Sequence, residues 1–91
     1  MLAQLKIDAI REYLQSEFPD FKIDNIEDFE RVSQKFSVVN DSTIYVVKFE
    51  RYFLENTPNV RLVLKNLELS KFMQQNEGKH TLVTKEGLTV L

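Results

Sequence analysis

The alternation of apolar and polar positions is sharpest between Val32 and Phe49, and it predicts one β-hairpin turning at Asn40-Asp41-Ser42. With those residues as a three-residue loop, Val38 pairs with Ile44 and Phe36 with Val46. Val32, Phe36, Val38, Ile44 and Val46 then share one face, which the rest of the chain has to cover. A two-residue loop at Asn40-Asp41 would instead pair Phe36 with Tyr45 and send Ile44 to the other side. A slip of one residue inverts every side chain, so the register with the cleaner apolar face is expected. The opposite face would carry Lys35, Ser37, Val39, Thr43, Tyr45 and Val47, and it is mixed rather than polar.

Before the hairpin, Leu2, Leu5, Ala9, Ile10, Tyr13 and Leu14 recur at spacings of three and four, with Phe18 one turn further. That is a helix with one apolar stripe, and Gln4, Asp8, Arg11, Glu12 and Gln15 fill its other face. Pro19 stops it, because the residue before a proline is pushed out of helical dihedrals. Phe21, Ile23 and Ile26 against Lys22 and Asp24 predict a short strand, with Glu27-Asp28 as the following turn.

After Lys48 the period changes. Phe49, Tyr52 and Phe53 sit at i, i+3 and i+4, a helical turn that places Phe49 and Phe53 in the core and leaves Tyr52 open. Thr57-Pro58 reads as an N-cap and first helical residue. Val60, Val63, Leu64 and Leu67 form the next stripe. The phase breaks near Asn66, and Leu69, Phe72 and Met73 form another, ended by Asn76-Glu77-Gly78. From Pro58 to Asn76 the pattern fits one kinked helix or two short ones. The tail from His80 to Leu91 alternates again, with Lys85-Glu86-Gly87 as its hairpin loop. So apolar a tail is expected to join the sheet, as an edge or a second small hairpin, or to pair with another copy of the chain. The fold class is therefore α+β: an N-terminal helix, an antiparallel sheet of three or more strands, a C-terminal helical region and a terminal strand or hairpin.

With 91 residues the chain is read as a single domain, 1–91, holding one modest core. Hydrophobic residues make up 43% and charged residues 29%, the balance of a soluble globular protein. The formal charge of -2 gives no electrostatic reason to expect a polyanion partner. There is no cysteine, hence no disulfide and no thiolate chemistry, which suits a reducing compartment. Lys6, Asp8, Arg11 and Glu12 interrupt any leader-like apolar run, and no window approaches the roughly 20 apolar residues of a membrane span. The expectation is a small cytoplasmic protein with no membrane contact; its brevity suggests a bacterial one.

No residue pattern specifies a chemistry. The lone histidine, His80, has a reference pKa suited to general-base work, but Lys79, Thr81 and Thr84 beside it form no catalytic spacing. Glu17, Asp20, Asp24, Glu27, Asp28 and Glu30 cluster against the single base Lys22. A calcium loop needs alternating acids and a glycine at the sharp turn, and this segment has neither. A solvated acidic edge is the simpler reading. Gly78 and Gly87 stand alone, so there is no phosphate-binding loop. No catalytic residue, metal ligand or cofactor is expected.

The order helix, three strands, helix resembles that of double-stranded-RNA-binding domains and some small toxin ribonucleases. Their chemistry needs a basic helix start or strand face, whereas Arg61, Lys65 and Lys71 are scattered along the later helix. Nucleic-acid binding or processing is therefore the alternative. The leading expectation is a non-enzymatic protein-interaction or regulatory module that binds a protein partner or itself. Its contact residues are expected to be Val39, Tyr45 and Val47 on the outward face, with Tyr52 beside them.

Overall fold

The apolar stripes and alternating segments resolve into nine elements in the computed structural model, which describes residues 4–28 and 33–91. In chain order they are α1 (Gln4–Glu17), β1 (Lys22–Asp28), β2 (Ser33–Val39), β3 (Ile44–Glu50), α2 (Arg51–Glu55), α3 (Val60–Asn66), α4 (Leu69–Gln75), β4 (His80–Thr84) and β5 (Gly87–Val90). The five strands form one sheet in the order β1-β2-β3-β4-β5. Neighbours are antiparallel except β3 and β4, which run parallel. The class is α+β with a mostly antiparallel sheet.

The parallel pair explains where the helices go. Parallel neighbours need a crossover connection, and here it consists of α2, α3 and α4. These helices and α1 contribute buried residues to a single core with Ile23, Phe36, Val38, Val47, Phe49 and Val83 of the sheet. One face of the sheet is thus covered. Phe36 and Phe49 meet edge to face at 5.7 Å, a pairing that adds about 0.5–1.5 kcal/mol beyond area burial.

The hairpin register differs from the expected one. Val39 pairs with Ile44, Val38 with Tyr45, Phe36 with Val47 and Gln34 with Phe49. The connection spans Asn40 to Thr43, one residue more than the sequence reading allows. Asn40 is the reason. Its Oδ1 accepts hydrogen bonds from the amides of Ser42 and Thr43, at 3.0 and 2.8 Å, and its own amide donates to the Thr43 carbonyl at 3.0 Å. Such a side-chain turn draws Thr43 into the loop. β3 also runs through Glu50, so that Phe49, read as the start of a helical turn, lies in the strand. With Phe49 in the strand, its odd residues offer Tyr45, Val47 and Phe49 to the core. The even ones would have offered Ile44, Val46 and Lys48, and burying an unpaired lysine is costly.

Other differences are local. Glu27 and Asp28 continue β1 instead of forming a turn, because β1 pairs with β2 along all seven of its residues. Leu5 is 80% exposed and contributes nothing to the α1 stripe, whereas Ile7 packs against the core. Asn59, not Thr57, caps α3, its side chain accepting from the Leu62 amide at 3.2 Å. The segment Pro58 to Asn76 holds two short helices, and Glu68 between them takes the left-handed conformation at φ 54°. The tail forms the second hairpin, with Gly87 paired to Thr84 rather than in the loop. Leu2, Glu30 and Val32 lie outside the described residues.

Candidate functional site: the open face of the sheet

The second face of the sheet carries no helix among the described residues. Alternation along the strands and the observed registers lay its side chains out in cross-strand rows. At one end Lys22, Val39 and Ile44 lie side by side. The next row is Asp24, Ser37, Val46 and His80. The third is Ile26, Lys35, Lys48, Leu82 and Thr89.

This face combines apolar area with charge of both signs, Lys22, Lys35 and Lys48 standing with Asp24 and with Glu50, which pairs with Ser33 in the row beyond. Ile44 is 60% and Ile26 54% exposed, and Val39, Val46 and Leu82 are each half-buried. None of these five belongs to the core. Lys35 and Lys48 are direct cross-strand partners. Like charges placed opposite one another oppose the pairing of their strands. Ion pairs among the described residues join Arg51 to Glu55 at 3.4 Å and Arg61 to Glu12 at 3.7 Å, and neither lysine takes part in one.

The four expected contact residues separate. Val39 lies on the open face. Val47 is 0% exposed and sits in the core. Tyr45 is on the covered side, where its ring lies 5.3 Å from Phe18 and 5.9 Å from Phe21. Burial, followed by the negative charge of Glu77, raises the pKa of its phenol. The outward face assigned to Tyr45 and Val47 is therefore corrected: Ile44 and Val46 occupy it. The one-residue slip exchanges the two pairs. Tyr52 is 52% exposed on α2, with the Lys85 ammonium 5.2 Å from its ring centre, as in a cation–π contact. The sequence signal for the true face was the lysine at position 48, which marks the solvent side of a strand that includes Phe49.

The rest of the surface offers little chemistry. His80 is exposed on the open face, and among the described residues no carboxylate comes within ion-pair distance of it. Among the described residues no three His, Cys, Asp or Glu side chains gather into a set able to hold a metal. A shallow, open depression of about 200 Å³ lies along Leu67, Glu68, Lys71, Phe72 and Gln75. No described helix is long and apolar enough to cross a membrane. Comparison with known proteins finds no matching family model, no matching curated protein and no matching solved structure.

Proposed function

We propose that this chain is a small non-enzymatic protein-interaction domain and that the open face of its sheet is the contact surface. The observation carrying this reading is the exposure of Ile44, set between Val39 and Val46 on a sheet face that no described helix covers. A sheet face of that composition is normally buried against another layer. Apolar area held at the surface beside charge is the usual mark of a recognition surface. The backbone is held rigidly beneath it, because four strand pairings run across the face. A single-stranded nucleic acid would need aromatic rings for its bases to stack on. The three rows described above contain no Phe, Tyr or Trp.

The test compares the wild-type chain with Ile44→Asp and Val46→Asp, and with Leu5→Asp on α1 as a surface control. Each is immobilised, and captured proteins are identified and rebuilt with the domain from purified components. The expected result is a saturable complex that both sheet-face substitutions abolish and Leu5→Asp leaves intact. Capture indifferent to Ile44 and Val46 would refute the reading. So would salt-sensitive binding to duplex RNA or DNA with no protein partner, which would establish the nucleic-acid alternative.

A further inference from the structure

We infer that β5 pairs with β5 of a second copy of this chain, antiparallel about a two-fold axis at Thr89, so that two sheets join edge to edge. The inference goes beyond the interaction reading above and concerns a different surface, the outer edge of the sheet rather than its open face.

The two edges of the sheet are unlike. It ends at β1 on one side and at β5 on the other. A bare edge is a template for another strand, and proteins guard it with charge, proline or a covering element. β1 is guarded. It carries Lys22 and Asp24, and its Ile23 carbonyl accepts from the Arg11 guanidinium at 3.1 Å. The Phe21 carbonyl just before it accepts from the Gln15 side-chain amide at 3.2 Å. A strand arriving there would have to displace these α1 side chains. β5 differs: Gly87, Leu88, Thr89, Val90 and the following Leu91 include no charge and no proline.

The hydrogen-bond phase shows which groups of β5 are free. The Leu91 amide donates to the His80 carbonyl at 2.9 Å. Bonding residues alternate along an antiparallel pair, so Leu91, Thr89 and Gly87 direct their main-chain groups at β4. Leu88 and Val90 direct theirs outward. Among the described residues no side chain bonds to those outward groups.

The strand is its own complement. With the axis at Thr89, Leu88 stands opposite Val90 of the partner subunit, and Val90 opposite the partner's Leu88. Every outward N–H and C=O of both strands is then used. Leu88 packs against the core and Val90 pairs with the buried Thr81, so both lie on the helix-covered face and carry its apolar layer across the junction. On the other face Thr89 meets the partner's Thr89, a favourable cross-strand pair. Leu91, 57% exposed, falls opposite the partner's Gly87, and a side-chain carbon added at Gly87 would meet nothing within 4 Å. A head-to-tail contact of β5 with β1 would instead propagate without closing. The guarded β1 edge opposes it, which leaves the closed two-fold pairing.

Sedimentation equilibrium of the intact chain over a concentration series is the test. Pairing through one four-residue strand is far smaller than a standard interface, so the expected Kd is roughly 10 μM to 1 mM. Val90→Pro removes an outward N–H and no bond to β4, so the fold should stand and the dimer be lost. Thr89→Lys and Thr89→Glu each place like charges on the axis and should weaken the dimer about two- to fivefold. An equimolar mixture of those two should regain association as a heterodimer. Ile44→Asp, on the open face, should leave the dimer unchanged. Amide NMR spectra establish that each variant is folded. A chain that is still monomeric at about 1 mM overturns the inference. So does a dimer that Ile44→Asp abolishes, or one that a folded Val90→Pro leaves intact. Should Val90→Pro not fold, the charge-swapped mixture decides: association no tighter than that of either variant alone overturns the inference.

Discussion

Phe36 and Ile44 lie on opposite faces of the sheet: Phe36 is buried opposite Val47, whereas Ile44, paired with Val39, is 60% exposed. The sidedness of the whole molecule follows from that relationship. It puts Tyr45, Val47 and Phe49 under the helices and leaves Ile44, Val46 and Lys48 uncovered.

Substitution of Ile44 and of Val47 by Asp should have opposite consequences. Ile44→Asp removes a side chain from a solvent-facing strand position and should change stability by less than about 1 kcal/mol. Val47→Asp places a charge in the core and should prevent folding, since the whole domain is held by only about 5–15 kcal/mol. Urea denaturation followed by circular dichroism reads both. The reverse pattern would restore the three-residue loop and its register.

The isolated domain should become more stable when the lysine pair is broken. Lys35 and Lys48 oppose each other across β2 and β3. Replacing Lys35 with Glu turns a repulsive pair into an attractive one and should add about 0.2–1 kcal/mol. The gain should shrink in high salt. A loss of stability in Lys35→Glu at low salt would mean that the lysines support the fold rather than oppose it.

Asn40 should be the residue that holds the register. Asn40→Ala removes the acceptor that serves the Ser42 and Thr43 amides and should cost about 1–2 kcal/mol. Asn40→Asp keeps an oxygen in place and should stay within about 0.5 kcal/mol of the wild type. Chemical denaturation gives the stabilities, and amide exchange at Ser42 and Thr43 should quicken only in the alanine variant.

Tyr45 should couple stability to alkaline pH. Its phenol titrates above the ordinary value of 10.0, because burial and then Glu77 disfavour the phenolate. The folded state therefore holds the proton more tightly than the unfolded chain does. This contribution is complete below pH 10 and is lost as pH rises through the folded value. Tyr45→Phe retains the ring beside Phe18 and Phe21 but has no proton to lose. The stability difference between wild type and Tyr45→Phe should be flat from roughly pH 7 to 9 and move against the wild type above roughly pH 10. A difference that stays flat across that range would refute the coupling.

Local pattern by itself determined the elements and the class. The stripe of Ile10, Tyr13 and Leu14, the alternation through Phe36 and Val38, the phase break near Asn66 and the alternating tail all became elements of an α+β fold. Each depends on periodicity within a few residues of chain, which a sequence displays directly. Sidedness was decided only in three dimensions. A strand of Ile44-Tyr45-Val46-Val47 is apolar on both sides, so alternation alone leaves either face free to be the inner one. The choice came from the turn at Asn40 and from where Phe49 and Lys48 end up once the helices are in place. Tertiary contacts also supplied what α4 lacks locally. Glu68 provides no side-chain cap, and the Ser70 amide donates instead to the Tyr13 hydroxyl, 57 residues earlier in the chain. The parallel pairing of β3 with β4 was likewise invisible, because strand neighbours far apart in sequence are chosen by packing of the intervening helices and leave no mark on either strand.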